Sequence, residues 1–192
     1  ECIKIFDSQR IPLSNKEREL KKGKIPYYGA TGIMDYVNDF IFNDDYILLA
    51  EDGSVMNEDG FPIIQFIWGK TWVNNHAHVI QAKDKEQNEF YYQHLSMIPV
   101  ILIKTGSIQM KINQDNLKNY HIIVPPNNLI NRYSRFANST RKSLINNIEQ
   151  NQQLSSLRDW LLPMLMNGQV TVKEAEESLS MAAEPSVEYK KG

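Results

Sequence analysis

Pro125-Pro126-Asn127-Asn128-Leu129-Ile130-Asn131-Arg132-Tyr133 is where this chain changes character. Paired prolines suit neither the middle of a sheet nor a helix interior. From Asn127 to Leu162 there is then neither glycine nor proline. Asn127 or Asn128 can cap a helix start, and a continuous helix over the stretch is about 54 Å long at 1.5 Å per residue. Apolar side chains recur at Ile130, Tyr133, Ala137, Leu144 and Ile148, then at Leu154, Leu157 and Leu161. That is a near-heptad stripe, interrupted by Asn151 and backed by a polar face with Asn146, Asn147, Gln150, Gln152 and Gln153. The pattern predicts a helix that outgrows a small domain and needs a partner along its seam; the alternative is a helix folded back on the globular part. Pro163 and Gly168 are expected to break or kink it. The tail after Val172 is rich in Glu, Ser and Ala and is expected to fray at Pro185.

Upstream the texture is mixed. Short β-rich runs occur at Tyr46-Ile-Leu-Leu-Ala, Phe61–Trp68, Thr71-Trp-Val, His78-Val-Ile and His121-Ile-Ile-Val, with turn signals at Asp52-Gly53, Asp59-Gly60, Gly69 and Gly106. Phe90, Tyr91, His94 and Leu95 lie at helical spacing and predict a helix over Asn88–Met97.

Lys24-Ile-Pro-Tyr-Tyr-Gly-Ala-Thr-Gly32 reads as a loop. Gly29 and Gly32 allow turns that a Cβ would hinder, and Tyr27 and Tyr28 offer flat rings beside exposed amides. A second polar loop, Lys104–Lys118, combines Lys104, Thr105, Ser107, Gln109, Lys111, Asn113 and Gln114 with a turn glycine. Lysines suit phosphates, and the amides and hydroxyls suit phosphates or base edges. Asn74-Asn75-His76 reads as a polar turn with the donors and acceptors that base reading requires.

The 192 residues suffice for one sizeable core or a core with an appended element. The hydrophobic share of 42% and nine tyrosines indicate a folded protein. A single cysteine, Cys2, excludes a disulfide framework and fits a cytoplasmic location. No apolar run approaches the roughly 20 residues of a membrane span, so no membrane partner is expected. The net charge is only −2, but the charges are segregated. Lys16, Arg18, Lys21, Lys22 and Lys24 crowd residues 16–24; Asp35 to Gly60 holds eight acids and no Lys or Arg; Lys104 to Lys142 holds seven basic residues against Asp115 alone. Such segregation can produce one basic face on a near-neutral protein.

Catalytic patterns are missing. No nucleophile elbow, phosphate-binding loop or dinucleotide fingerprint occurs. Asp44, Asp45, Glu51 and Asp52 lack the lysine partner expected of a metal-dependent nuclease, which nevertheless stands as the alternative enzyme reading, built on Asp44, Asp45 and Asp52. His76 and His78 share a strand face without a third ligand at zinc spacing. The absence of such machinery favours a binding module. A third reading is an assembly module whose helix is its sole function.

In order along the chain, Asp7-Ser-Gln-Arg-Ile-Pro-Leu-Ser, Lys24-Ile-Pro-Tyr-Tyr-Gly-Ala-Thr-Gly, Ala50-Glu-Asp-Gly, Trp72-Val-Asn-Asn-His-Ala-His-Val, Gly106-Ser-Ile-Gln-Met-Lys-Ile-Asn-Gln-Asp-Asn-Leu, Ile122-Ile-Val-Pro-Pro and Leu161-Leu-Pro-Met-Leu-Met-Asn-Gly-Gln-Val resemble the specificity subunits of type I restriction-modification systems. The resemblance implies an α/β (α+β) target-recognition domain with a mixed β-sheet over residues 1–124. It implies a long helix for dimerisation and subunit docking over residues 125–172, and an acidic, partly flexible tail over residues 173–192. Family members usually carry two such domains and two helices. A chain with one of each is expected to be either a C-terminal piece, which the missing initiator methionine favours, or a half subunit that homodimerises. The implied function is sequence-specific recognition of double-stranded DNA without catalysis in this chain. S-adenosylmethionine, ATP and Mg belong on partner modification and restriction subunits, with no cofactor here. Lys22, Lys24, Lys104 and Lys111 are the expected phosphate contacts, and Tyr27, Tyr28, Thr31, Asn74, Asn75, Ser107 and Gln109 the expected groove or base contacts.

Overall fold

The computed structural model describes residues 2–106, 110–169, 171 and 173. Ser107 and Gln109, and nearly all of the tail, lie outside the described residues. The chain divides into two compact units, Glu1–Ser139 and Thr140–Gly192.

The first unit begins with strand β1 (Ile3–Ile5) and helix α1 (Asn15–Leu20). Ser14 caps α1 reciprocally: its Oγ accepts from the Glu17 N–H, while Glu17 accepts from the Ser14 N–H at 2.8 Å. Strands β2 (Lys22–Tyr28) and β3 (Ile33–Val37) form a hairpin, followed by β4 (Phe42–Asn43), β5 (Tyr46–Ala50), β6 (Ile64–Ile67), β7 (Lys70–Val73) and β8 (Ala77–Ala82). Helix α2 (Asn88–Ser96), the short ladder of β9 (Lys104–Thr105) and β10 (Lys111–Ile112), and helix α3 (Gln114–Asn119) lead to α4 (Asn127–Met166).

Two four-stranded sheets carry the unit. One is antiparallel, in the order β1-β8-β5-β6; the other is mixed, in the order β3-β2-β7-β4, with β2 and β7 parallel. Tyr46-Ile-Leu-Leu-Ala is apolar on both faces because β5 is covered on both. Ile47 and Leu49 join the core formed with Tyr91, Leu95 and Leu117 of α2 and α3, while Leu48 joins Phe42, Ile67, Val73 and Val79 between the sheets. A smaller core, with Leu13, Tyr27, Val37 and Trp72, lies near α1.

Three expectations are corrected. Lys24–Tyr28 is strand rather than loop. Only Gly29–Gly32 turns, with the Gly29 N–H bonded to the Gly32 carbonyl at 2.8 Å. Pro26 and Gly23 disguise that strand. Gly23 sits at a bulge where a Cβ would lie 2.3 Å from the Val37 oxygen. His121–Val124 has no strand assignment: the proline pair removes two donors, and His121, Ile122 and Val124 instead border a cavity of about 350 Å³ beside β1 and α2. Of the break or kink expected at Pro163, the break does not occur: helix α4 runs through it, because the lost N–H costs one bond while Asn167 still donates to the Pro163 carbonyl at 3.0 Å. Gly168 does end it. At φ +66° it lets its own N–H reach the Leu165 carbonyl and that of Gln169 reach the Met164 carbonyl.

The apolar stripe of α4 splits in two. Ile130 and Ala137 are buried and so serve their own domain rather than an external seam, while Tyr133 meets Phe90 edge-to-face at 6.1 Å and stays 40% exposed. Gln87 donates to Asn131, and Asn138 to the Glu86 carbonyl, along the same face. In the second unit no described residue is buried; Leu144 and Leu154 are exposed, and Ile148, Leu157 and Leu161 half-exposed. No described helix is long and apolar enough to cross a membrane.

Candidate nucleic-acid interface

A charged cluster braces one edge of the first unit. Asp7 is buried just after β1. One of its oxygens lies 2.6 Å from Nδ1 of buried His78, whose Nε2 is 2.8 Å from the Ile112 carbonyl. Gln114 donates to the same carboxylate at 2.6 Å, and the Val79 N–H to its other oxygen at 2.9 Å. Burial opposes ionisation of Asp7, but the hydrogen bond and charge of His78, with further help from Val79 and Arg10, hold its carboxyl below the usual range. Arg10 completes the cluster. Its guanidinium donates to Glu51 at 2.7 Å, to the Ala77 carbonyl at 2.7 Å and to the Asn75 carbonyl at 3.3 Å.

These bonds fix the turn at residues 74–76 against the end of β5, where the Glu51 N–H also donates to the His76 carbonyl at 2.9 Å. Asn74 is 3% exposed, and its Oδ1 accepts from the His76 N–H at 2.8 Å. It shapes the turn and presents no surface to a ligand. Asn75 and His76 are exposed. His76 Nδ1 lies 2.6 Å from Asp52 Oδ1, and Lys111 Nζ lies 3.5 Å from Glu51 and 3.8 Å from Asp52. His76 and Lys111 therefore meet around two carboxylates, although they are far apart in the sequence, with exposed Asn75 next to His76 in the turn. Lys104 is half-buried in β9, on the strand paired with Lys111.

The β2–β3 hairpin holds the other expected contacts. Tyr27 is corrected: it is 1% exposed, and its hydroxyl accepts from the Leu13 N–H at 3.0 Å, so the ring belongs to the core. Tyr28 is half-buried, and burial raises its phenol above the usual value. Thr31 is exposed in the turn, which Gln65 anchors through the Ala30 carbonyl at 3.1 Å. Lys22 and Lys24 are exposed on β2. Lys22 Nζ is 2.8 Å from Asp35 Oδ1, while Arg18 Nε is 3.1 Å from Asp35 Oδ2.

The charge blocks of the sequence thus pair with one another. Asp35 takes Arg18 and Lys22; Asp52 takes His76 and, with Glu51, Lys111; Asp44 takes Lys85. The simple basic face that segregation suggested is partly neutralised from within. The roles of Arg10 and Asp35 and the His76–Asp52 pair carry no local sequence pattern, since their partners lie 41 positions away for Arg10–Glu51, 24 for His76–Asp52 and 17 and 13 for Asp35 with Arg18 and Lys22.

Asp44, Asp45 and Asp52 do not form the nuclease centre. Among the described residues, the one metal-like grouping is Asp7, Glu51 and His78, whose ligand atoms lie within 4.8 Å of one another. The Arg10 guanidinium, 2.7 Å from Glu51 and 3.5 Å from Asp7, already supplies the positive charge there.

Residues 3–150 match the family model described as type I restriction modification DNA specificity domain. A putative type I restriction enzyme specificity subunit of Haemophilus influenzae, S.HindORF215P, is 36% identical over 126 residues, covering 66% of this chain and 32% of that protein. The type I restriction enzyme MjaIX specificity subunit of Methanocaldococcus jannaschii is 22% identical over 192 residues, 91% of this chain and 44% of the relative. The crystal structure of a type I restriction-modification S subunit from M. genitalium superposes with a TM-score of 0.60 at 16% identity, covering 85% of this chain and 45% of that one, and shares the fold. The chain spans between a third and a half of these relatives' lengths. With the family model covering the domain and the start of α4, the chain belongs to the type I restriction modification DNA specificity domain family.

Proposed function

We propose that this chain recognises one part of a bipartite double-stranded DNA site and directs a methyltransferase and a restriction subunit to it, without catalysing a reaction itself. The observation that carries the reading is the family match over residues 3–150, which takes in the braced edge, the hairpin and the beginning of α4. The reading gives Lys22, Lys24, Lys104 and Lys111 to phosphates and leaves Tyr28, Thr31, Asn75 and His76 as groove-facing groups; Tyr27 and Asn74 act beneath that surface. Ser107 and Gln109 remain proposed base contacts on sequence grounds alone.

The exposed Leu144 and Leu154, with Ile148, Leu157 and Leu161, support a role for α4 in pairing with a second helix, in a homodimer or a longer subunit, and in docking the modification subunit. S-adenosylmethionine, ATP and Mg would be bound by the partner subunits, in the cytoplasm.

Co-expression with the modification subunit, followed by sequencing of methylated bases, tests the reading. A defined split motif is expected, palindromic if two copies of this chain read two half-sites. Methylation without sequence preference, or none, would reject it. On the recognised site, Lys104→Ala and Lys111→Ala should each reduce the salt slope of binding by about one unit.

A further inference from the structure

Asp35 and Asp52 each gather two basic side chains from outside the acidic stretch to which they belong. Asp35 holds Lys22 at 2.8 Å on one oxygen and Arg18 at 3.1 Å on the other. Asp52 holds His76 at 2.6 Å on one oxygen and faces Lys111 at 3.8 Å with the other, sharing that lysine with Glu51 at 3.5 Å. Lys22 also lies 3.5 Å from exposed Glu19, but Asp35 is nearer; the Lys22 and Lys111 side chains are about half exposed and can leave their partners without unfolding anything. A duplex phosphate offers the same chemistry as these carboxylates: a compact anion accepting charge-assisted hydrogen bonds.

We propose that Asp35 and Asp52 act as internal competitors of DNA phosphate, holding the basic side chains of the two candidate contact surfaces in pairs and thereby limiting sequence-independent DNA binding. The inference rests on the DNA-recognition reading and adds to it a control on where the protein does not bind. Non-specific affinity comes almost wholly from phosphate contacts. A loosely docked, wrong sequence must displace a carboxylate for each contact it gains, and offers no base contacts in compensation. Because non-specific sites vastly outnumber the target, a modest handicap at each contact matters.

The test measures fluorescence anisotropy of a random-sequence duplex titrated with the full chain, alone and with the modification subunit, over a range of salt concentrations. Asp35→Asn and Asp52→Asn preserve side-chain shape. Asp35→Asn is expected to tighten random-duplex binding about two- to fivefold at low salt and to steepen the salt slope by about one unit, for Lys22, while Arg18 stays on the Leu13 carbonyl; Asp52→Asn, which leaves Lys111 its Glu51 contact, should act in the same direction by less. Asp59→Asn removes the same charge from a loop aspartate for which no cation partner is described, and controls for net charge. Lys22→Ala in the Asp35→Asn background, and Lys111→Ala in the Asp52→Asn background, should restore the parent's affinity. If Asp35→Asn and Asp52→Asn behave like Asp59→Asn, the competitor role is wrong and DNA recognition stands. If the parent shows no salt-dependent duplex binding in either form, the recognition reading itself fails and the inference with it. Should one variant misfold by circular dichroism, the other site carries the test.

Discussion

Tyr27 and Tyr28 are adjacent in sequence and opposite in role. Strand alternation sends one ring inward and leaves the other half-covered. Tyr27→Phe is expected to cost about 1 kcal/mol, since the buried Leu13 N–H loses its acceptor, and to leave DNA affinity unchanged; urea unfolding and anisotropy measure the two effects separately. Asp35 makes a second prediction. The Lys22 ammonium above all, then the Tyr36 N–H and Arg18, hold its carboxyl at about 2 against an ordinary 3.8. The folded value lies below the unfolded one, so the stabilisation is present above the ordinary value and is lost as pH falls toward 2. Asp35→Asn should therefore be less stable than the parent near neutral pH, and the gap between their urea midpoints should close on acidification. Little of this is legible in sequence. A tyrosine's face depends on strand register, and Asp35 resembles its acidic neighbours until folding brings Lys22 and Arg18 to it.

Among the elements, legibility followed the strength of the local signal. Tyr46–Ala50, Lys70–Val73, Ala77–Ala82, α2 and most of α4 announce themselves through apolar runs, helical spacing and the lack of helix breakers. The Ser14-x-x-Glu17 capping box is a sequence signal for α1 that could have been used. Strands β9 and β10 are two residues each and exist only through long-range pairing, with each other and, for β10, with Glu51 and Asp52. The β2–β3 hairpin hides behind Gly23 and Pro26, residues that ordinarily oppose strands. Gly23 allows the closest approach in that hairpin. Gly23→Ala is expected to destabilise the unit by roughly 2–4 kcal/mol, because the new Cβ meets backbone at Val37 and Asn38 rather than a movable side chain. Thermal unfolding would register this as a large drop in midpoint.

At the scale of the molecule, the compact unit reaches Ser139 and so includes the first three turns of α4. Chain ends at residues 124 and 139 should then behave differently. A protein ending at Ser139 should keep the cooperative transition of the first unit. One ending at Val124 loses buried Ile130 and Ala137 and the Tyr133–Phe90 contact, and should melt several degrees lower, with Ile130 alone worth about 2 kcal/mol. Calorimetry of the two truncations decides it.

The cluster around Asp7 joins the beginning of this unit to its far side: β1 pairs with β8, His78 reaches the Ile112 carbonyl, and Gln114 reaches back across 107 positions to Asp7. Such distant partners give the domain a high contact order. On the ribosome, the nascent chain cannot close its core when the first strands emerge. It must wait until the segment around Ile112 and Gln114 has left the exit tunnel, and it gains its last covering when the first turns of α4 follow.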